Sequence, residues 1–201
     1  MDFIFVFGPQ AVGKMTVGQE LSKLMGYRLL HNHLTIDIAR ALYDVKDARF
    51  IKQLTRLNFF TFYEFIKQPS ANGLVYTDVW ALNSNHDIKT KVQMFEMFHK
   101  NKWNVYVVEL TAPLNERLQR NKTENRLKHK PTKRDYKSSD EALLMAEEKF
   151  IFNSIGWDDF KLPRYIKHHL IIDNENLLPD AVAQKIVSEL KIEREVVVEA
   201  T

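Results

Sequence analysis

Five short apolar runs alternate along the chain with longer segments in which apolar residues recur at helical spacing. The runs predict strands at about residues 3–7, 27–30, 74–77, 105–110 and 169–172. The helical spacing predicts helices at about residues 17–25, 34–43, 48–67, 87–100, 141–153 and 179–190, with a further helix starting at Pro113. Apolar strands that alternate with helices favour an α/β fold, with a parallel sheet covered on both faces.

The first predicted strand runs directly into a glycine-bounded, lysine-ended loop. Its sequence is Gly8-Pro9-Gln10-Ala11-Val12-Gly13-Lys14, followed by Met15-Thr16. The two glycines let consecutive backbone N–H groups point inward, the next helix begins there with its positive end, and Lys14 adds a full charge. A strand before the loop and an amphipathic helix after it are the setting of a phosphate-binding loop, which indicates a nucleotide triphosphate as ligand.

Polar residues also stand at the ends of the other four predicted strands. Ligands bind at the carboxyl ends of strands in a parallel sheet, so these residues are expected to converge on one crevice with the loop. In chain order they are His31-Asn32-His33, Asp78, Thr111 and Asp173-Asn174.

The length and composition indicate one domain, 1–201. A chain of 201 residues with 45% hydrophobic content can build a substantial core but has no room for a second full domain. The absence of cysteine excludes disulfides and thiolate metal sites. No stretch approaches the roughly 20 apolar residues of a membrane span, and the first apolar run is too short for a signal peptide. We expect a cytoplasmic protein that does not enter a membrane.

The net charge of +3 is unevenly distributed. Between Arg117 and Lys137 there are nine basic residues against Glu124 and Asp135. A basic lid that closes over phosphates, inserted at about 121–139, explains this segment better than a nucleic-acid surface, because aromatic residues that would stack on bases are nearly absent. The alternative is a solvated charged helix. As a lid, the segment is expected to be open without ligand and to order when ATP binds.

The order of these features resembles the small P-loop kinases, which include adenylate, shikimate and gluconate kinases and the antibiotic phosphotransferases. The resemblance covers about residues 3–190, and only the phosphate loop is a highly specific match. It implies the three-layer P-loop NTPase fold, with a five-stranded parallel sheet in the order 2-3-1-4-5. It also implies transfer of the γ-phosphoryl group from ATP, with Mg²⁺ as the metal.

The resemblance assigns nucleotide-binding roles to several residues. Those of the loop are Gly8, Ala11, Val12, Gly13, Lys14, Met15 and Thr16. Arg120 matches an arginine that stacks near adenine, and Arg126 matches one that reaches the phosphates. Arg134 is expected to close from the lid with Arg126, and Asn174 lies in the final strand-end motif. Lys14, Arg126 and Arg134 surround the transferring group with positive charge, which is the main contribution a protein makes to phosphoryl transfer.

Met15 departs from the common motif, which has a Mg²⁺-binding serine or threonine directly after the lysine. Either Thr16 supplies the hydroxyl from the next helical position, or Mg²⁺ is held mainly through water and the nucleotide's own oxygens. Adenylate kinases are similar here, with a non-hydroxyl residue followed by threonine.

Asp78 occupies a position at which related kinases have a carboxylate. It is expected to orient a water of Mg²⁺ or to accept the proton of the acceptor hydroxyl, and the alternative is a turn-capping aspartate. His31, His33 and Asp37 are the candidate acceptor-binding residues, since an imidazole can also take a proton from a hydroxyl. Structural packing and a metal site of His-x-His-x-x-x-Asp spacing are the other interpretations.

We therefore expect a kinase that phosphorylates a hydroxyl of a small-molecule or nucleotide-like acceptor. A protein that binds nucleoside triphosphates with weak or no hydrolysis is a second hypothesis, suggested by Met15 and by the lack of a clear acidic base. A polynucleotide or tRNA-end kinase is a third.

Overall fold

The computed structural model describes residues 1–122 and 136–192, with the side chains of residues 136 and 137 left out. Its strands are β1 Asp2–Phe7, β2 Arg28–His31, β3 Gly73–Thr77, β4 Asn104–Thr111 and β5 His168–Asp173. Its helices are α1 Lys14–Met25, α2 Asn32–Leu42, α3 Ala48–Lys67, α4 Asn85–Lys100, α5 Leu114–Arg120, α6 Tyr136–Lys149 and α7 Pro179–Glu189.

The five strands form one sheet in the order β2-β3-β1-β4-β5. Every neighbouring pair is parallel, and Phe7 of β1 lies opposite Glu109 of β4. The predicted three-layer fold and strand order are confirmed. The carboxyl ends of all five strands therefore meet at one edge of the sheet, as the sequence analysis expected.

The alternation of side chains along β1 produces the two halves of the core. Ile4 and Val6 point to a face covered by α1 and α7, where Leu21 and Ile186 are fully buried. Phe3, Phe5 and Phe7 point to the other face, which is strongly aromatic and packs against α3 and α4. Phe3 stacks on Phe98 of α4 with ring centroids 3.8 Å apart. Strands buried on both faces explain why the sequence shows continuous apolar runs.

The helix predicted at 141–153 is wrong at both ends, because α6 spans Tyr136–Lys149. The chain then runs without regular structure to β5 and packs apolar side chains on the aromatic face, where Ile166 is buried and Phe160 is partly buried. Glu109 of β4 contacts the non-helical residues that follow α6. Its carboxylate accepts hydrogen bonds from the backbone N–H of Ser154 at 2.7 Å and from the Asn153 side chain at 3.0 Å.

None of the helices in the described residues is long and apolar enough to cross a membrane. Most of the predicted lid at about 121–139 lies outside the described residues, and so do the proposed lid residues Arg126 and Arg134.

Candidate nucleotide and phosphoryl-transfer site

The loop between β1 and α1 has the backbone of an anion-binding nest. Gly8, Ala11 and Gly13 have φ angles of 143°, 62° and 106°. Left-handed conformation is rare for a residue with a side chain, and such strain is concentrated at ligand-binding sites. An alternation of positive and negative φ angles is typical of loops whose successive N–H groups face one concavity and bind the oxygens of a phosphate.

The two glycines of the loop are also required by close contacts. A Cβ on Gly8 would collide with the carbonyl oxygen of Leu110 in β4. A Cβ on Gly13 would lie 3.1 Å from the side-chain amide nitrogen of Asn174. The loop therefore lies directly on the end of β4 and beside Asn174, and a larger residue at position 8 would displace it.

Lys14 is the first residue of α1, and its side chain folds back over the loop. Its Nζ donates hydrogen bonds to the carbonyl oxygens of Gly8 at 2.9 Å and Pro9 at 2.6 Å. These contacts place the ammonium group beside the nest rather than on the outer surface of the helix. The charge is thus held where phosphate oxygens would bind.

Thr16 lies one position after Met15, and its hydroxyl donates to the carbonyl oxygen of Gly13 at 2.8 Å. The donated proton leaves the lone pairs of the hydroxyl oxygen free to bind a cation. The residues present therefore fit Mg²⁺ through Thr16, with the remaining ligands coming from water and phosphate oxygens. Met15 is half-buried and offers no hard ligand.

Arg120 and Asn174 join the loop to the ends of α5 and β5. Asn174 is buried, and its amide nitrogen donates to the Val12 carbonyl oxygen at 2.8 Å. The Arg120 guanidinium donates to the carbonyl oxygens of Asn174 at 3.0 Å and Glu175 at 2.8 Å. It also forms an ion pair with Glu116 at 2.8 Å. Both residues assigned to nucleotide binding are therefore in direct contact with one another beside the loop.

Arg117 is a residue that the sequence analysis did not single out. It is almost fully buried and forms a two-point ion pair with Glu147 of α6, with N–O distances of 2.9 and 2.7 Å. Its Nε also donates to the Ala112 carbonyl oxygen at 3.1 Å. The only signal in the sequence was the Arg-x-x-Arg spacing on a helix. The pair ties α5 to α6, the two helices that flank residues 123–135.

Asp78 follows β3 directly and lies in a group of polar side chains. Its carboxylate accepts hydrogen bonds from the side chains of Asn32 and Lys91, from the Tyr76 hydroxyl at 3.1 Å and from the Val79 N–H at 2.8 Å. Burial raises the pKa of Tyr76 well above its ordinary value, and the negative charge of Asp78 adds to this shift. Lys91 was also missed, because a single lysine within a helical pattern ordinarily faces solvent.

His31 ends β2, and His33 lies in the first turn of α2. Their rings are 6.2 Å apart, and both side chains are partly buried. Asp37 is exposed on the outer part of α2. No three histidine, aspartate or glutamate side chains are grouped to hold a metal within residues 1–122 and 136–192. The structure thus gives no support to the metal interpretation of this motif.

Comparisons with known proteins give a match only at the level of structure. No protein-family model and no curated protein sequence matches the chain. A Chloroflexus aurantiacus protein described provisionally as a kinase is similar in structure, with a TM-score of 0.64 and 14% identity over 94% of this chain and 96% of that one.

Two further solved structures are similar over nearly the whole chain. Shikimate kinase from Acinetobacter baumannii has a TM-score of 0.55 and 17% identity over 95% of this chain and 93% of its own. The tunicamycin resistance protein of Deinococcus radiodurans has a TM-score of 0.51 and 14% identity, with 96% and 98% covered. At such identities the likeness establishes the fold, and the chain has the fold of the P-loop small-molecule kinases.

Proposed function

We propose that the protein is a single-domain kinase that transfers the γ-phosphoryl group of ATP to a hydroxyl group of a small molecule. The observation that carries this proposal is the nest of residues 8–13 with the Lys14 ammonium held beside it, in a chain that has the kinase fold. An anion-binding nest with a lysine recognises phosphates, and the fold supplies the expectation of transfer to an acceptor.

The described residues divide the work into binding and positioning. The backbone of the loop and Lys14 bind the β- and γ-phosphates, and Thr16 provides the hydroxyl for Mg²⁺. Bound there, Mg²⁺ would neutralise charge on the phosphate oxygens during transfer. Arg120 and Asn174 hold the loop at Val12, where the nucleotide is proposed to bind. The hydrogen bonds from Arg120 to Asn174 and from Asn174 to Val12 keep the site in place before the nucleotide arrives, which lowers the cost of binding.

The acceptor side is assigned to the ends of β2 and β3. His31 and His33, with Asp37 on the outer part of α2, are proposed to contact the acceptor. Arg126 and Arg134 retain their proposed role on the transferring phosphate, although they lie outside the described residues. Little covalent chemistry is needed from the protein, because the transition state of phosphoryl transfer is loose and is stabilised mainly by positive charge.

A screen for acceptor-stimulated ADP release tests this function. Nucleosides, sugars, shikimate, aminoglycosides and phenolic antibiotics would each be added to protein, ATP and Mg²⁺, with the Lys14→Ala variant as control. Specific stimulation by one compound, absent in the variant, is expected. Tight nucleotide binding without turnover on any compound would support a triphosphate-binding protein instead. Binding of oligonucleotides that weakens steeply with salt would support a polynucleotide kinase.

A further inference from the structure

The Asp78 carboxylate accepts hydrogen bonds from four donors, which come from three parts of the chain. One oxygen accepts from the Asn32 side chain and from the Val79 N–H, and the other accepts from the Tyr76 hydroxyl and from Lys91 Nζ. The two oxygens of a carboxylate offer about four lone-pair directions in total. All of them are used within the protein.

Lys91 reaches this carboxylate from α4 through an apolar environment. The side chains of Lys91 and Asp78 are only 8% and 13% exposed. The ammonium nitrogen lies 5.7 Å from the centre of the Phe5 ring and 6.0 Å from that of Tyr76. Burial of an ion pair is costly, and a pair of apolar residues of similar volume in place of both Lys91 and Asp78 would fill the same space at a similar or lower cost. The ion pair is therefore poorly explained by stability alone.

Because its lone pairs are occupied, Asp78 is poorly suited to either of the two roles expected of it, general base and support of Mg²⁺. A general base must accept the proton of the acceptor, and a Mg²⁺ ligand must present an oxygen to the ion or its water. Either role would require Asp78 to give up a hydrogen bond or the Lys91 ion pair in a mostly buried place. The geometry favours a fixed anchor over both roles.

The group held by this anchor is Asn32, which stands between His31 and His33. Its side chain donates to Asp78, while its backbone carbonyl oxygen accepts from the Thr35 hydroxyl at 3.1 Å. Asn32 is also the first residue of α2. The path from Lys91 through Asp78 to Asn32 thus connects α4 to the point where β2 turns into α2.

We propose that Lys91 is a positioning residue that acts through Asp78 and Asn32 to orient His31 and His33 toward the acceptor. Asp78 is then neither the general base nor a Mg²⁺ ligand. The part of this inference that concerns the acceptor rests on the proposed kinase function, whereas the orientation of the histidines does not.

The test uses the full chain, first with the charge of Lys91 removed and then with the charges of both Lys91 and Asp78 removed. Lys91→Met alone leaves the Asp78 carboxylate without its cation and is expected to lower Tm by about 10 °C. The double variant Lys91→Met with Asp78→Asn removes the unpaired charge and is expected to recover most of this loss. Lys100→Met is the matched control, since Lys100 is an exposed lysine of the same helix.

Two measurements on the double variant decide between the roles of Asp78. The imidazole NMR signals of His31 and His33 are expected to shift relative to wild type and to Lys100→Met. The dissociation constant for an ATP analogue is expected to stay within about twofold of wild type at every Mg²⁺ concentration, since the Asp78 carboxylate is bound to Asn32, Tyr76, Val79 and Lys91, none of which belongs to the loop. Unchanged imidazole signals would overturn the proposal. A loss of affinity that appears only with Mg²⁺ would also overturn it, because it would make Asp78 part of the metal site.

Kinetics separate this inference from the proposed function. Once the ADP-release screen has identified an acceptor, kcat/KM for that acceptor is expected to fall by about 10- to 100-fold in the double variant, with KM for ATP unchanged. An equal rise in KM for both substrates would contradict a role in acceptor positioning. If wild-type protein phosphorylates no compound, the proposed function fails, and the imidazole signals still decide whether Lys91 orients the histidines.

Discussion

The side-chain amide of Asn174, at the end of β5, donates a 2.8 Å hydrogen bond to the carbonyl oxygen of Val12 in the loop after β1. The two residues are far apart in the chain. The bond joins the loop that follows β1 to the end of β5, and these two strands are not neighbours in the sheet. Because Asn174 is buried, its removal leaves polar groups without a full set of partners.

We expect Asn174→Ala to reduce both stability and nucleotide affinity. The free energy of unfolding should fall by about 1–3 kcal/mol, since a buried hydrogen bond is lost and its partners stay buried. ADP affinity should fall by about tenfold, because the loop is less well held. Urea unfolding and calorimetric titration measure the two effects. Asn101→Ala, at an exposed asparagine that directly follows α4, is the control and should leave ADP affinity unaltered.

Lys14→Ala should lower turnover by about 100-fold or more while leaving the fold intact. Lys14 contributes charge to the nest and is only partly buried, so its loss affects phosphate binding more than packing. Acceptor-stimulated ADP release and thermal unfolding are the measurements. Lys23→Ala, at an exposed position of the same helix, should behave like wild type. Equal turnover in the Lys14→Ala protein would contradict the assignment of the site.

Met15→Ser should maintain or strengthen the affinity for the Mg²⁺–nucleotide complex. The substitution restores the hydroxyl that the common motif directs at the metal, next to the one that Thr16 already provides. Titration with an ATP analogue at several Mg²⁺ concentrations checks this expectation. The companion variant Thr16→Val should weaken binding only when Mg²⁺ is present. A large loss of affinity in Met15→Ser would show that the half-buried methionine is needed for packing.

Glu109 should make stability depend on pH in the acid range. Burial by itself would raise the pKa of this carboxyl, but hydrogen bonds from His169, Ser154 and Asn153 outweigh burial and lower the pKa below its ordinary value of 4.5. A depressed folded-state pKa means that the stabilisation is complete above the unfolded value. It is lost as the pH falls below 4.5 toward the folded-state pKa.

Urea unfolding of wild type and Glu109→Gln between pH 3.5 and 6.5 measures this dependence. The difference in free energy of unfolding should be constant above about pH 5.5 and should shrink by up to about 1.4 kcal/mol per pH unit on further acidification. A difference that is unchanged over the whole range, or that grows at low pH, would be inconsistent with a depressed pKa.

Glu147→Gln should destabilise the protein by about 1–3 kcal/mol. The substitution removes the charge that neutralises Arg117, which is only 4% exposed. Glu147 itself is partly open to solvent, so solvent screening reduces the expected loss of stability. The double variant Arg117→Met with Glu147→Leu removes both charges and should recover part of the loss. Denaturant unfolding of wild type, Arg117→Met, Glu147→Leu and this double variant gives the coupling energy of the pair. A coupling energy near zero would show that α5 and α6 do not depend on this contact.

The sequence by itself determined the elements that rest on neighbouring residues. The apolar runs of the strands are continuous because the sheet is covered on both faces. The loop of residues 8–14 is a contiguous motif, and its two glycines adopt positive φ angles that local sequence can predict. The convergence of strand ends also followed, since parallel strands must end at one edge. The roles of individual site residues in catalysis stay predictions.

Only the tertiary structure decided which charged side chains are buried and what they contact. Lys91 with Asp78, Arg117 with Glu147, and Glu109 with Ser154 are pairs in which the partners belong to different elements. In a helical pattern, a lysine or arginine that turns inward to a carboxylate has the same spacing as one that faces water. The residues after α6 are a similar case, because Asn153, at the predicted end of that helix, and Ser154 donate hydrogen bonds to Glu109 of β4, a contact that local spacing does not reveal.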